Sequence, residues 1–531
     1  MDKYLRSFVV ALTCISALMT FSGWNAHEGA GAPNHSDTGI ITVKLKEMKY
    51  IGSVDERYQS YNVEMAEVVG GEFWRPYKTM DSLPSSTSSF DFSNRSLMFR
   101  KLPPINLADK RLVNLAKALS PAYVRVSGSW ANTVYFQDND GPQVEAPEGF
   151  ANSVTRNQWK GVIEFVRATH SELVTSFAVS KGVRDSGGVW TAKEARKIMN
   201  YTKSIGGNIA GAELFNEPTI PIAGGVDTNY DGRNFAKDIA IFKVWAKKEA
   251  PDMLLIGPGS TAEGIPGQSF AGMLRHFIPT DSLMVPEPKP LFDIFSYHYY
   301  GAMSMRIMRS GPFSIKPENA LDPGWLQRTD VVADYYRRLR DEYNPGQPIW
   351  LTETAEASQG GDPFAATFLD CFRYLYQLGS LAKNGVRVVM HNTLAASEYS
   401  LIDQDTHLPK PDYWAAWLWA KLMGTKVYEA GKGTQGIYLF AHDRKGNKDG
   451  RTLLVLNANK ASTTINIPSG GKQYTLTSKN LQSEHVQLNG QDLELNNDDS
   501  LPAMIGKSVN AGNIELPAAS ITFITFESVG K

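Results

Sequence analysis

Between residues 61 and 391 the chain repeats one pattern: a short apolar run, a few turn residues, then an amphipathic helical stretch. The runs fall at residues 61–69, 122–126, 173–179, 211–215, 253–256, 293–299, 348–352 and 385–391. Most end in Gly, Pro, Asn or Ser, the punctuation of a strand-to-helix loop. Helical spacing is clearest at 110–119, 156–169, 191–205 and 235–250. Eight strands alternating with helices predict an α/β fold, a (β/α)8 TIM barrel. An open doubly wound sheet competes, but no Gly-rich nucleotide fingerprint follows an early strand.

At 531 residues the chain exceeds what one hydrophobic core usually serves. After Thr425 the texture changes to short β-type runs between Gly, Asn and Asp turns, which predicts a C-terminal antiparallel β-sandwich. The early run Ile40-Ile-Thr-Val-Lys-Leu precedes the first barrel strand and is expected to join that sandwich. The predicted division is a leader at 1–32, a catalytic barrel at 56–424, and a sandwich of 40–55 plus 425–531.

Lys3 and Arg6 followed by an apolar stretch from Phe8 to Phe21 read as a secretory signal peptide, too short for a membrane span. The expected location is secreted or periplasmic, with membrane attachment only if this segment stays uncleaved. Removal would leave Cys371 as the only cysteine, hence no internal disulfide. Lysine plus arginine number 54 against 55 acidic residues, so no basic face points to nucleic acid. Eleven tryptophans and 22 tyrosines are a generous supply of faces for stacking on sugars, although cores use them equally. No Cys/His cluster has metal-ligand spacing, so neither a catalytic metal nor a cofactor is expected.

Catalytic residues of such barrels sit at the C-terminal ends of strands. The fourth candidate strand runs into Asn216-Glu217-Pro218 and the seventh into Thr352-Glu353-Thr354. Retaining glycoside hydrolysis needs such a pair: one carboxyl group to protonate the leaving oxygen, one to attack the anomeric carbon. Glu217 is assigned as acid/base and Glu353 as nucleophile. Asn216 is a candidate partner for a sugar 2-hydroxyl. A donor that keeps the nucleophile ionised is sought at the sixth strand end, Tyr297-His298-Tyr299-Tyr300, with His298 and Tyr299 taken as site candidates.

The stretch from Glu353 through Gly360-Gly361, then Glu398-Tyr399-Ser-Leu-Ile-Asp403 and Leu408-Pro-Lys-Pro-Asp412-Tyr413-Trp414, resembles the heparanase and β-glucuronidase family, glycoside hydrolase family 79. Upstream, Leu119-Ser-Pro-Ala-Tyr123-Val-Arg125 fits as well. The resemblance implies that backbone amides at Gln359 and Gly360, with the Tyr399 phenol, hold a uronic acid carboxylate. It also implies that Glu64 contacts sugar hydroxyls. Gln359 departs from the glycine common in the family. Ser180 and Lys181 are weaker candidates for the same surface. The implied partner is a glucuronic-acid-containing glycan or glucuronide. Exo-acting β-glucuronidase is favoured slightly over endo cleavage of heparan sulfate, for which Arg306, Arg309 and Lys316 could line a cleft. A neutral-sugar hydrolase of the same clan and a non-catalytic glycan-binding relative are the other readings.

Overall fold

The computed structural model describes residues 40–80, 98–265 and 276–529; the expected leader and signal segment lie outside them. Eight parallel strands close into a barrel. In chain order they are β1 (Gln59–Glu64), β2 (Tyr123–Ser127), β3 (Glu172–Ser176), β4 (Gly211–Glu213), β5 (Leu254–Ser260), β6 (Ile294–Met303), β7 (Ile349–Ser358) and β8 (Val386–His391). β8 pairs with β1 and closes the ring. A helix follows each strand: α1 (Lys110–Ala118), α2 (Arg156–Ala168), α3 (Lys193–Ser204), α4 (Gly232–Glu249), α5 (Thr280–Met284), α6 (Arg328–Tyr343), α7 (Phe368–Lys383) and α8 (Pro411–Leu422). Among the described residues, no helix is long and apolar enough to cross a membrane.

Local chemistry explains the helix starts. Thr155 and Gln158 form a reciprocal capping box at α2, as do Asp231 and Asn234 at α4. Pro411 occupies the first turn of α8, where its missing N–H costs nothing. The expected strand at 61–69 is shorter than its apolar content suggests. Glu64 and Glu67 cap each other's backbone and start a helix at Met65–Val69, so β1 stops at Glu64.

A large sheet packs on the barrel. Its neighbours run Tyr50–Ser53, Met423–Tyr428, Ile437–Arg444, Asn447–Asn457, Ser520–Phe526 and Gly471–Thr477. A three-stranded sheet, Ile41–Thr42 with Thr463–Ile467 and Gly512–Leu516, covers its other face over a core that includes Leu453, Val455 and Ile524. Helices α7 and α8 lie between barrel and sheet, which is why both are buried nearly all round. Gly379 on α7 permits the approach: a Cβ there would sit 2.3 Å from the Phe440 ring.

Two barrel strands run past the rim. β6 and β7 stay paired out to Met303 and Ser358. Glu353, expected where its strand ends, therefore has five more strand residues beyond it. Pairing shifts register just before Glu353, between Tyr297 and His298 on one side and Leu351 and Thr354 on the other. At that irregularity Thr352 and Glu353 both reach the same buried polar cluster, which a regular strand alternation would forbid.

Candidate active site

The mouth of the barrel is built around Arg125, a fully buried guanidinium from β2. It donates to Glu213 Oε2 at 2.7 Å, to Glu353 Oε2 at 2.8 Å and to Asn216 Oδ1 at 2.7 Å. Glu213 also accepts from Ser296 at 3.0 Å and Thr352 at 2.8 Å. Burial opposes its ionisation, but Arg125 and His298 outweigh that and hold the Glu213 carboxyl far below the usual range. A buried cation matched by two carboxylates makes the geometry costly to deform.

Glu217 lies four residues beyond the end of β4. Its backbone is left-handed, with φ 57°, an unusual state for a side chain of this size. Asn132 fixes the peptide before it: the Asn216 N–H donates to Asn132 Oδ1, and Asn132 Nδ2 donates to the Asn216 carbonyl, both at 2.9 Å. The Glu217 carboxylate meets His298 Nδ1 at 3.1 Å. Asn216 Nδ2 is buried with no protein partner among the described residues.

Glu353 accepts from the Tyr300 phenol at 2.7 Å as well as from Arg125. Burial works against its charge, but His298, Arg125 and the two hydrogen bonds prevail, so its carboxyl titrates below the ordinary value. His298 is pushed up to about 9: burial lowers it, and Glu353, Glu213 and Glu217 raise it by more. The reacting atoms of Glu217, His298 and Glu353 lie within 4.8 Å of one another. Such a trio has the spacing of a metal site. Each member, however, is already engaged within the protein: His298 meets Glu217 and Arg125, and Glu353 takes hydrogen bonds from Arg125 and Tyr300. The arrangement suits acid–base and nucleophilic work better than ligation.

A second ring surrounds this centre. Asn392 Nδ2 donates to Glu64 Oε1 at 3.1 Å and to the oxygens of Tyr300 at 2.9 Å and Tyr399 at 3.3 Å. Burial, and then the nearby Glu353 charge, push Glu64 well above the usual carboxyl range. Gln359, Gly360 and Gly361 all have positive φ, at 53°, 90° and 78°. Their N–H groups donate to no protein acceptor among the described residues. Successive free amides in such a turn form a concavity suited to an anion. Gly360 cannot carry a side chain, since a Cβ would lie 2.7 Å from Trp74.

Of the sequence candidates, Glu217, Glu353, Asn216, Glu64 and His298 converge, with Tyr399 and the Gln359–Gly360 turn beside them. Tyr299 does not. Its side chain lies in the main apolar core, because neighbouring strand residues face opposite ways, and Tyr300 takes the place at the nucleophile. Arg306 is 5% exposed and stacked on Tyr77, so it is no cleft-lining cation. Lys181 pairs with Asp227, and Ser180 is buried. Sequence reasoning missed the roles of Arg125, Glu213, Tyr300 and Asn392. An arginine at an inward position of the run Tyr-Val-Arg-Val was the available signal.

A family model described as "Glycosyl hydrolase family 79, N-terminal domain" matches residues 77–261. Heparanase of Bos taurus is 27% identical over 484 residues, spanning 80% of this chain and 85% of that protein. Baicalin-beta-D-glucuronidase of Scutellaria baicalensis is 36% identical over 210 residues, spanning 37% of this chain and 40% of its own. Among solved structures, a 4-O-alpha-L-rhamnosyl-beta-D-glucuronidase from Fusarium oxysporum superposes with a TM-score of 0.61 at 14% identity, covering 92% of this chain and all of that one. At that identity the likeness shows the fold alone.

Proposed function

The chain belongs to the heparanase and β-glucuronidase family, glycoside hydrolase family 79, and from that premise we propose a retaining, exo-acting β-glucuronidase with Glu217 as acid/base and Glu353 as nucleophile. One observation carries the reading. Two glutamates from opposite sides of the barrel mouth bring oxygens within 4.8 Å, close to the roughly 5–5.5 Å carboxyl separation of retaining enzymes and well short of the wider inverting gap.

The roles follow from surroundings. Glu353 is held ionised by Arg125, His298 and Tyr300, as a nucleophile must be. Glu217 has only His298 among these partners, and it is the more exposed of the two. In the acid/base role it gives a proton to the leaving oxygen, then takes one from water once the glycosyl–Glu353 ester forms. Asn216 Nδ2 is the donor left over for the sugar 2-hydroxyl. Gln359, Gly360 and Tyr399 bind the C5 carboxylate.

Relatives that match this chain include a heparanase and a baicalin-beta-D-glucuronidase, so a glucuronide is the substrate class, and cleavage position distinguishes the options. Exo action is supported by the segment after Trp74. Tyr77 N–H donates to Glu398 at 2.6 Å, its phenol reaches the Gly361 carbonyl at 3.3 Å, and Arg306 donates to the Arg75 carbonyl at 2.7 Å. These bonds wall the side where the uronate carboxylate would sit. Secretion through an N-terminal signal segment remains part of the proposal.

The test is a three-substrate assay with a chromogenic β-glucuronide, the matching β-glucoside and size-defined heparan sulfate. Release from the glucuronide without shortening of the polymer is expected. Shortened heparan sulfate would replace exo by endo action, and a preference for the glucoside would remove the carboxylate-binding assignment.

A further inference from the structure

Four backbone N–H groups at the side of the site, those of Gln359, Gly360, Gly361 and Tyr399, donate to no protein acceptor among the described residues. Each belongs to a peptide unit whose own carbonyl is engaged. The Ser358 carbonyl accepts from Ser304 N–H at 3.2 Å, and the Gly360 carbonyl accepts from Glu398 N–H at 3.1 Å. The Gln359 carbonyl accepts from Arg306 Nη1 at 3.4 Å. The Glu398 carbonyl accepts from Lys410 Nζ at 2.8 Å.

Lys410 reaches further. Its ammonium also donates to the Ser397 carbonyl at 3.2 Å and to Ser400 Oγ at 3.0 Å, which uses all three of its protons on the turn that carries Tyr399. The Ser397 peptide passes the polarisation on through the Glu398 N–H to the Gly360 carbonyl, and so to the Gly361 amide. Hydrogen bonds in such a chain strengthen one another, most of all when the first donor is charged. Arg306 adds a 2.8 Å bond to the Gly361 carbonyl. Of the nearby acids, Glu398 faces Arg306 at 3.5 Å and Tyr77 N–H, and Asp362 takes the Met305 N–H.

We propose that Arg306 and Lys410 are specificity-determining residues that act through the backbone, charging the free amides at 359–361 and 399 so that they favour an anionic C5 substituent over a neutral hydroxymethyl group. This rests on the carboxylate-binding role of the turn proposed above. Neither side chain touches substrate; both are positioning residues.

The experiment compares kcat/KM for an aryl β-glucuronide and the same aryl β-glucoside in wild type, Lys410→Met, Lys410→Arg and Arg306→Gln. In Lys410→Met and Arg306→Gln the glucuronide/glucoside ratio should fall about tenfold or more, through KM for the glucuronide, while the glucoside value stays within about threefold. Lys410→Arg should restore most of the ratio. If Lys410→Met does not fold, Lys410→Gln keeps an amide donor without the charge and should show the same fall. Parallel loss on both substrates, or an unchanged ratio, would reduce these residues to structural roles and overturn the inference. A wild-type enzyme with no glucuronide preference would instead overturn the carboxylate-binding assignment beneath it.

Discussion

Strand β7 carries two buried glutamates three residues apart, and their surroundings drive them in opposite directions. Glu353 faces the barrel axis, where Arg125, His298 and Tyr300 converge on it, and it is held ionised. Glu356 faces α7 in an acid-rich pocket. Its neighbours are Asp362 and Asp370, with Arg373 as the charge partner, and Arg373 is already bonded to Asp370 at 2.5 Å. Burial first, then the charges of Asp362 and Asp370, push Glu356 well above the usual range; Asp412 is raised by burial and Asp370. Glu356 Oε1, Asp362 Oδ2 and both Asp412 oxygens lack hydrogen-bond partners among the described residues. Equal burial on one strand thus yields a carboxyl group held low where Arg125 and Tyr300 donate to it, and one pushed up where the nearby cation is already bonded to Asp370. That contrast separates reactive from structural acids better than exposure does.

Substituting each glutamate in turn separates the pair by function. Glu353→Gln should lower kcat on an aryl β-glucuronide by at least about 10³-fold, whereas Glu356→Gln should change it by less than about fivefold. Steady-state assays on folded protein decide this, and comparable losses in both would erase the distinction. Removing the cation comes next. Arg125→Met strands Glu213 and Glu353 without their partner and should cost about 3–5 kcal/mol in denaturant unfolding. Tyr300→Phe deletes a hydrogen bond to the charged nucleophile. It should lower kcat/KM about 10–100-fold, while Tyr299→Phe stays within about twofold.

pH separates the two glutamates by a smaller margin. Glu356 is raised, so its stabilising contribution is complete below the ordinary carboxyl range and is lost as pH rises. Glu353 and Glu213 are lowered, so theirs is present above that range and lost as pH falls through the folded values. His298, at about 9, keeps its contribution below about 6.5 and loses it as pH climbs through about 9. The Tm difference between Glu356→Gln and wild type should therefore shift in favour of the variant from pH 5 to pH 8. A difference that shifts the other way would place an ionised Glu356 in a stabilising contact.

Apolar runs separated by turn residues made the barrel strands legible, because each strand is buried on both faces. The paired glutamates were legible as strand-end acids of matching type. The irregularity before Glu353 was not, since a register shift leaves no compositional mark, and it decides that Thr352 and Glu353 share a cluster. Tyr299 and Tyr300 are adjacent and chemically identical; only the register of β6 tells which one reaches the nucleophile. Glu356 drew no reading from the sequence, because the seventh run ends at residue 352 and nothing in composition shows that the turn after β7 and helix α7 bring Asp362 and Asp370 back against it. Lys410 sat inside a motif read for its family likeness, with nothing in the sequence to show that its ammonium underlies Tyr399.

In the proposed mechanism Glu353 forms a covalent bond to the sugar. Incubating the enzyme with a 2-deoxy-2-fluoro-β-glucuronide bearing a good leaving group, then mapping the trapped adduct by peptide mass spectrometry, reads that bond itself. One glycosyl unit on the peptide containing Glu353, absent in Glu353→Gln, is the expected result. An adduct on another residue, or no adduct together with product of inverted anomeric configuration, would contradict it.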